Sequence, residues 1–209
     1  MSNKSGKLLV IAAPSGAGKT SLVKALIESE SDVQVAVSHT TRPPRAEESS
    51  GVNYFFVSQP EFEQMCEQEA FIEHANVFGN LYGTSKAEVH RILDSGHHLI
   101  LEIDWQGAEQ IRNSTKETTS IFILPPSLES LHLRLMERAQ DDKETIKHRM
   151  AAAIDEMSHY HEFDYLIVND DFDVALTQLK DILHGRGSKL TLDAQRERLK
   201  DLVRELIPS

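Results

Sequence analysis

Residues 13 to 20 read APSGAGKT, almost bare of side chain until they end on an ammonium and a hydroxyl. The pattern is that of a phosphate loop, Ala13, Pro14, Ser15, Gly16, Ala17, Gly18, Lys19 and Thr20, with alanine in place of the first glycine. Glycines at 16 and 18 let successive backbone N–H groups turn inward around an anion. The Lys19 ammonium then reaches the β and γ phosphates of a nucleoside triphosphate, and the Thr20 hydroxyl is a ligand for Mg²⁺. A Mg²⁺–nucleotide site also asks for a carboxylate at the end of a neighbouring strand. "LILEID" supplies Glu102 and Asp104, two residues apart and so on one strand face. A further set stands in "SHTTRPPR", where Ser38, Arg42 and Arg45 offer a hydroxyl and two guanidinium groups. Pro43 and Pro44 stiffen that segment, which favours a fixed clamp on a dianion over a flexible tail.

These groups need elements to hold them. Apolar runs of strand length stand at Leu8 to Ala12, Val33 to Val37, Leu99 to Ile103, Ser120 to Leu124 and Tyr165 to Val168, mostly separated by helical spacing. The alternation predicts an α/β fold with a largely parallel sheet flanked by helices. One helix is expected from about Lys19 to Glu30, and another from Leu128 to Arg138 after a Ser127 cap. From about Ser38 to Gly96 the alternation breaks. "NYFFV", "AFIEHANVF" and "NLYGT" read as short strands, with Ser58/Glu61 and Ser85/Glu88 opening two helices, so an inserted small lobe is expected. "AQDDKET", after Arg138, reads as a mobile flap. "TLDAQRERLKDLVRELI" predicts a helix docked on its own domain.

The 209 residues, 40% of them apolar, suit a single folding unit. A net charge of −11 argues against nucleic acid or an anionic membrane as the main partner, so any phosphate site must be built locally. One cysteine, Cys66, cannot form an internal disulfide; it reads as a packed thiol in a reducing compartment. The N-terminal apolar run is too short for a membrane span, and a cytoplasmic location is expected. The ten histidines form no His-Glu-x-x-His or Cys/His cluster and read as packing or surface residues, with no metal implied beyond Mg²⁺. Trp105 reads as a core residue.

A phosphate loop alone does not tell a kinase from a GTPase, a motor or a helicase. There is no Asn-Lys-x-Asp guanine motif, and the chain is short and negative for a helicase. "APSGAGKT", "VSHTTRPPR", "NYFFV", "FIEHANVFGNLYGTS", "LEIDWQGA", "IFILPPS" and "YLIVNDD" together resemble guanylate kinases of bacterial type in order and spacing, from about Lys7 to Gly185. The resemblance implies a P-loop NTPase fold of the nucleoside monophosphate kinase kind, within one domain over 1–209. Its core would be 7–37 and 97–185, with an inserted mixed β/α GMP-binding lobe at 38–96, a lid at about 138–148 and a C-terminal helix at 191–207.

It implies ATP and GMP as substrates, with Mg²⁺ accompanying ATP, and leaves a homo-oligomer open. Arg42, Arg45, Tyr54 and Tyr82 would hold the GMP phosphate, and Ser38, Glu73 and Thr84 would meet the guanine, with Asp104 close by. Arg138 and Arg149 would reach the transferring phosphoryl group, with Lys19 and Arg42 as further catalytic cations. Arg134 would lie near ATP and Asn169 by the adenine. Glu73 fits guanine chemically, because a carboxylate accepts from both N1–H and the N2 amine, a donor pair adenine lacks. Two positions depart from the family: Ala139 stands where glycine is usual, and Glu102 where some members have aspartate, leaving open whether Glu102 meets Mg²⁺ or GMP. Two rivals are a catalytically inactive guanylate-kinase-like module that binds phosphopeptides, which typically lacks an intact phosphate loop, and a kinase of the same fold with another phosphate acceptor, which would have little use for the guanine set.

Overall fold

Each of the five apolar runs becomes a strand in the structure, a computed structural model that describes residues 6–77, 79–115, 117–138 and 143–208, with no side chains described at 137, 138, 143 and 144. The first elements are β1 (Leu8–Ala12), α1 (Lys19–Ser29), β2 (Val33–Val35), β3 (His39–Thr40), β4 (Phe55–Phe56), α2 (Gln59–Glu67), β5 (Phe71–Val77) and β6 (Asn80–Ser85). Then come α3 (Lys86–Asp94), β7 (His98–Glu102), α4 (Trp105–Ser114), β8 (Thr118–Leu124), α5 (Leu128–Arg138) and α6 (Lys143–Ser158). The last are β9 (Tyr165–Val168), α7 (Phe172–Leu183), α8 (Leu192–Gln195) and α9 (Lys200–Leu206). One sheet has the order β2-β7-β1-β8-β9 and a second the order β4-β3-β6-β5. The chain divides into two compact units, Met1–Val10 with Asp32–Thr118, and Ile11–Ser31 with Thr119–Ser209.

In the first unit, β2 runs parallel to β7, with Val33 opposite His98 and Val35 opposite Ile100. The second sheet is mixed: β5 and β6 form an antiparallel hairpin, β3 is antiparallel to β6, and β4 is parallel to β3. Alternation along β5 buries Phe71, Glu73 and Ala75. Phe71 stacks on Phe62 of α2 with ring centres 4.5 Å apart, which makes the apolar centre of this lobe. One carboxylate, Glu73, therefore sits on a buried face. Ser58 and Glu61 complete the expected reciprocal cap of α2. At α3 only half of that cap forms. Ser85 accepts the Glu88 N–H, but the Glu88 carboxylate turns away to Arg91 and to the Val37 N–H. Trp105, expected in the core, is only partly buried, because it opens α4 directly after the Asp104 cap.

In the second unit, β8 and β9 are parallel, from Ile121 opposite Tyr165 to Leu124 opposite Val168. α1 buries Leu22, Val23 and Leu26, and α7 buries Ala175, Leu179, Ile182 and Leu183. Glu30, the residue that caps the end of α1, pairs with Lys180 of α7 and with His184 just past its end, and ties the two helices together. Ser127 accepts the Ser130 N–H, the start signal read for α5. The C-terminal stretch is two short helices with a turn at 196–199 where the periodicity predicts one. The break follows Gln195, which is buried and donates to the Leu166 carbonyl of β9. Residues 139–142, in the expected lid at about 138–148, lie outside the described residues.

Candidate active site

β1 is buried along its whole length and delivers the chain into the glycine turn. Gly16 and Gly18 both have φ of +91°, a left-handed conformation that a side chain would strain. Space forbids one as well: a β-carbon at 16 would stand 2.9 Å from Leu131 Cδ1 of α5, and one at 18 would run into the Asn169 amide. The Ala17 N–H closes the turn on the Pro14 carbonyl at 3.1 Å. Gly18 caps α1 without a side-chain hydrogen bond, and no acid stands in the first turn, so the positive end of the helix faces the loop with no carboxylate of its own first turn to offset it. Lys19 and Thr20 open that helix. Thr20 is exposed, and a hydroxyl at the start of α1 suits Mg²⁺, which takes few protein oxygens and keeps much of its water.

Asn169 is 5% exposed, and its amide donates to the Ala17 carbonyl at 2.7 Å. Its own carbonyl accepts from Arg134 at 3.1 Å. The two residues expected around the nucleotide thus form a chain, α5 to β9 end to phosphate loop. The other terminal nitrogen of Arg134 is buried with no hydrogen-bond partner among the described residues, a costly state that a ligand oxygen or nitrogen would relieve. It borders a cavity of about 310 Å³ lined by Gly16, Gly18, Ser21, Arg134, Asn169, Asp170 and Phe172. Phe172 is 40% exposed, and its ring offers a face on which a base could stack. One loop amide is already engaged: the Ser15 N–H donates to Glu156 of α6 at 3.1 Å.

The first unit gathers the residues expected at guanine. Glu73 and Thr84 stand opposite each other on β5 and β6, and the Thr84 and Ser38 hydroxyls are 2.9 Å apart. Glu73 is 3% exposed and Thr84 fully buried. A β-carbon at Gly107 would stand 2.7 Å from a Glu73 oxygen, so the carboxylate lies against the first turn of α4. Asp104 caps that same turn through the Gly107 N–H at 2.9 Å. Ser38, Glu73, Thr84 and Asp104 therefore converge.

The phosphate set also converges. The Tyr54 and Tyr82 rings are 5.9 Å apart, and the Arg42 guanidinium lies 5.6 Å from the Tyr54 ring centre. Burial, with Glu102 and Tyr82 nearby, pushes the Tyr54 phenol above its usual pKa, so it remains a hydrogen-bond donor at neutral pH. Burial opposes the charge on Arg42, but Glu48 and Tyr82 outweigh it and hold its pKa above the ordinary value. Arg45 is exposed on the same turn. Arg149 lies on α6, half-buried. The side chain of Arg138, the last residue of α5, lies outside the described residues, as does Ala139.

Sequence reasoning passed over Glu48, Gly107, Glu156, Asp170, Ser21 and Phe172. Gly107 could have been found from "WQGA", a glycine early in an amphipathic helix that invites the question of what approaches it. Glu156 carried no local signal, being 141 residues from the amide it meets.

Comparisons with known proteins point to one family. A family model described as guanylate kinase matches residues 5–186. A guanylate kinase of Pseudomonas fluorescens (strain Pf-5) is 54% identical over 207 residues, covering 99% of this chain and 100% of the relative. One of Escherichia coli (strain K12) is 52% identical over 204 residues, covering 97% and 98%. The crystal structure of guanylate kinase from Anaplasma phagocytophilum superposes with a TM-score of 0.72 at 33% identity, covering 95% of each chain.

Proposed function

The chain belongs to the guanylate kinase family, and from that membership we propose how its own residues move a phosphoryl group from ATP to GMP, giving ADP and GDP. It is a nucleoside monophosphate kinase. The observation that carries the assignment of the acceptor site is the buried Glu73 opposite Thr84, with Ser38 on the Thr84 hydroxyl. A carboxylate at this depth needs donors, and guanine brings an adjacent pair. Adenine offers no such donor pair, which disfavours AMP.

The GMP phosphate is the nucleophile. Its second pKa near 6 makes it mostly dianionic at neutral pH, so no general base is required. The work is then positioning and charge, since two anions must be brought in line. Arg42, Arg45, Tyr54 and Tyr82 hold the acceptor phosphate. Lys19 and the loop amides hold the donor phosphates, and Arg138 and Arg149 offset charge on the transferring group. Arg134 and Asn169 shape the nucleotide side, Asn169 by fixing the loop. Mg²⁺ bound with ATP supplies neutralising charge at the β and γ phosphates, and Thr20 is the residue that would hold it. The charge of Glu102 is felt at Tyr54, which supports reading it on the acceptor side over the Mg²⁺ alternative.

We assign the ATP work to the core, 7–37 and 97–185, the GMP work to the lobe, 38–96, and closure over both substrates, with exclusion of water, to the segment at about 138–148. The proposed partners are the two nucleotides, and a net charge of −11 supports a reading without nucleic acid or membrane. Among the described residues no helix is long and apolar enough to cross a membrane. The single thiol supports a cytoplasmic location.

Lys19→Ala tests the donor side. Turnover should fall by at least about 10²–10³-fold, the scale for removing one preorganised transition-state group, while calorimetry shows GMP still bound. Retained turnover would refute the role of the loop.

A further inference from the structure

Arg42 is held more tightly than a surface arginine needs to be. One terminal nitrogen donates to both oxygens of Glu48 at 2.8 Å, and the other donates to the Pro43 carbonyl at 2.7 Å. The guanidinium also lies 5.6 and 5.8 Å from the ring centres of Tyr54 and Phe56. The same Glu48 carboxylate accepts the Arg45 N–H at 2.8 Å. One acid thus ties together the side chain of the first clamp arginine and the backbone of the second. Arg42 and Glu48 are only 15% and 14% exposed, so neither charge is well served by water.

We infer that Glu48 is a positioning residue of the phosphate clamp: it holds the Arg42 guanidinium and the turn carrying Arg45 in the arrangement that receives the GMP phosphate. The inference rests on the reading of Arg42 and Arg45 as phosphate ligands. A buried guanidinium without a counter-charge would be expelled to solvent or disordered. Glu48 prevents this before GMP arrives, so the rotamer freedom of a long side chain is lost on folding and not on binding. Both terminal nitrogens already donate, one to Glu48 and one to Pro43, and the remaining N–H groups of the guanidinium are left for a ligand or for Tyr82. Glu48 carries a negative charge beside an incoming dianion, so by direct electrostatics it opposes binding; any benefit it brings acts through the clamp. The sign of its removal therefore identifies its role.

The test is steady-state kinetics on Glu48→Gln and Glu48→Ala, varying GMP at saturating ATP and ATP at saturating GMP, with Arg42→Met and the double variant alongside. KM for GMP should rise about tenfold in both Glu48 variants, with KM for ATP within about twofold of the parent. In the Arg42→Met background, Glu48→Ala should add less than about twofold. KM does not depend on the fraction of enzyme that folds, so partial misfolding does not obscure the reading. An unchanged or lowered KM for GMP in the Glu48 variants, with Arg42→Met still raising it, overturns the positioning role and leaves the clamp standing. If Arg42→Met itself leaves KM for GMP unchanged, the phosphate-clamp reading fails first.

Discussion

At the scale of single residues, each proposed nucleotide site rests on a buried polar side chain. Glu73 is buried opposite Thr84 with its carboxylate against the first turn of α4, and Asn169 is buried with its amide on the Ala17 carbonyl. On the proposed reading, Asn169 acts on ATP chiefly through the loop. Asn169→Ala leaves a buried carbonyl without its donor, at a cost of about 1–3 kcal/mol. The expected outcome is a lower melting temperature and a higher KM for ATP, with KM for GMP unchanged; a variant that loses only adenine selectivity would assign the side chain to the base instead. What could be read from the sequence at this scale was whatever depends on the local backbone. Gly16 and Gly18 announce a left-handed turn because no other residue adopts it readily. Glu48 announced nothing, since its meaning comes from a chain that folds back to bring it onto Arg42, six residues earlier.

At the scale of elements, position follows from register and caps. The β5–β6 pairing sets Glu73 opposite Thr84, and a slip of one residue would turn Glu73 to the other face of the sheet and lose the site. Alternation in "FIEHANV" was visible in the sequence, but the opposing residue was not, because pairing across a hairpin is fixed only when the strands meet. α2 supports that sheet through Phe62 on Phe71 and depends on its reciprocal cap. Ser58→Ala should therefore destabilise the chain by about 1 kcal/mol, read from urea unfolding, with kcat nearly unchanged. A large fall in kcat at unchanged stability would show that α2 does more than support the lobe. The Ser85/Glu88 pair shows the limit of such signals. The spacing predicts the same reciprocal cap, but Arg91 and the Val37 N–H compete for Glu88 and win. The C-terminal periodicity marked the buried face correctly at Leu206 yet not the break after Gln195, which a tertiary hydrogen bond to β9 accompanies.

At the scale of the whole molecule, the fold class was legible because buried parallel strands have continuous apolar sequences and turn signals between them. The division at β1 was not, because the strand itself gives no sign that it serves two units. On the proposed reading each unit carries its own half of the chemistry: the phosphate loop and an Arg134 nitrogen with no hydrogen-bond partner among the described residues in one, and a preformed arginine clamp with the guanine-facing set in the other. On the same proposed reading, selectivity for the acceptor base is a property of the complete lobe and depends on Glu73 more than on any other side chain. Formation of ADP with GMP, AMP, CMP or UMP as acceptor, in the parent and in Glu73→Gln, measures it directly. GMP should be strongly preferred by the parent, and the ratio of kcat/KM for GMP over AMP should fall by about tenfold or more in the variant. Equal turnover of AMP by the parent, or a ratio untouched by Glu73→Gln, would contradict the account.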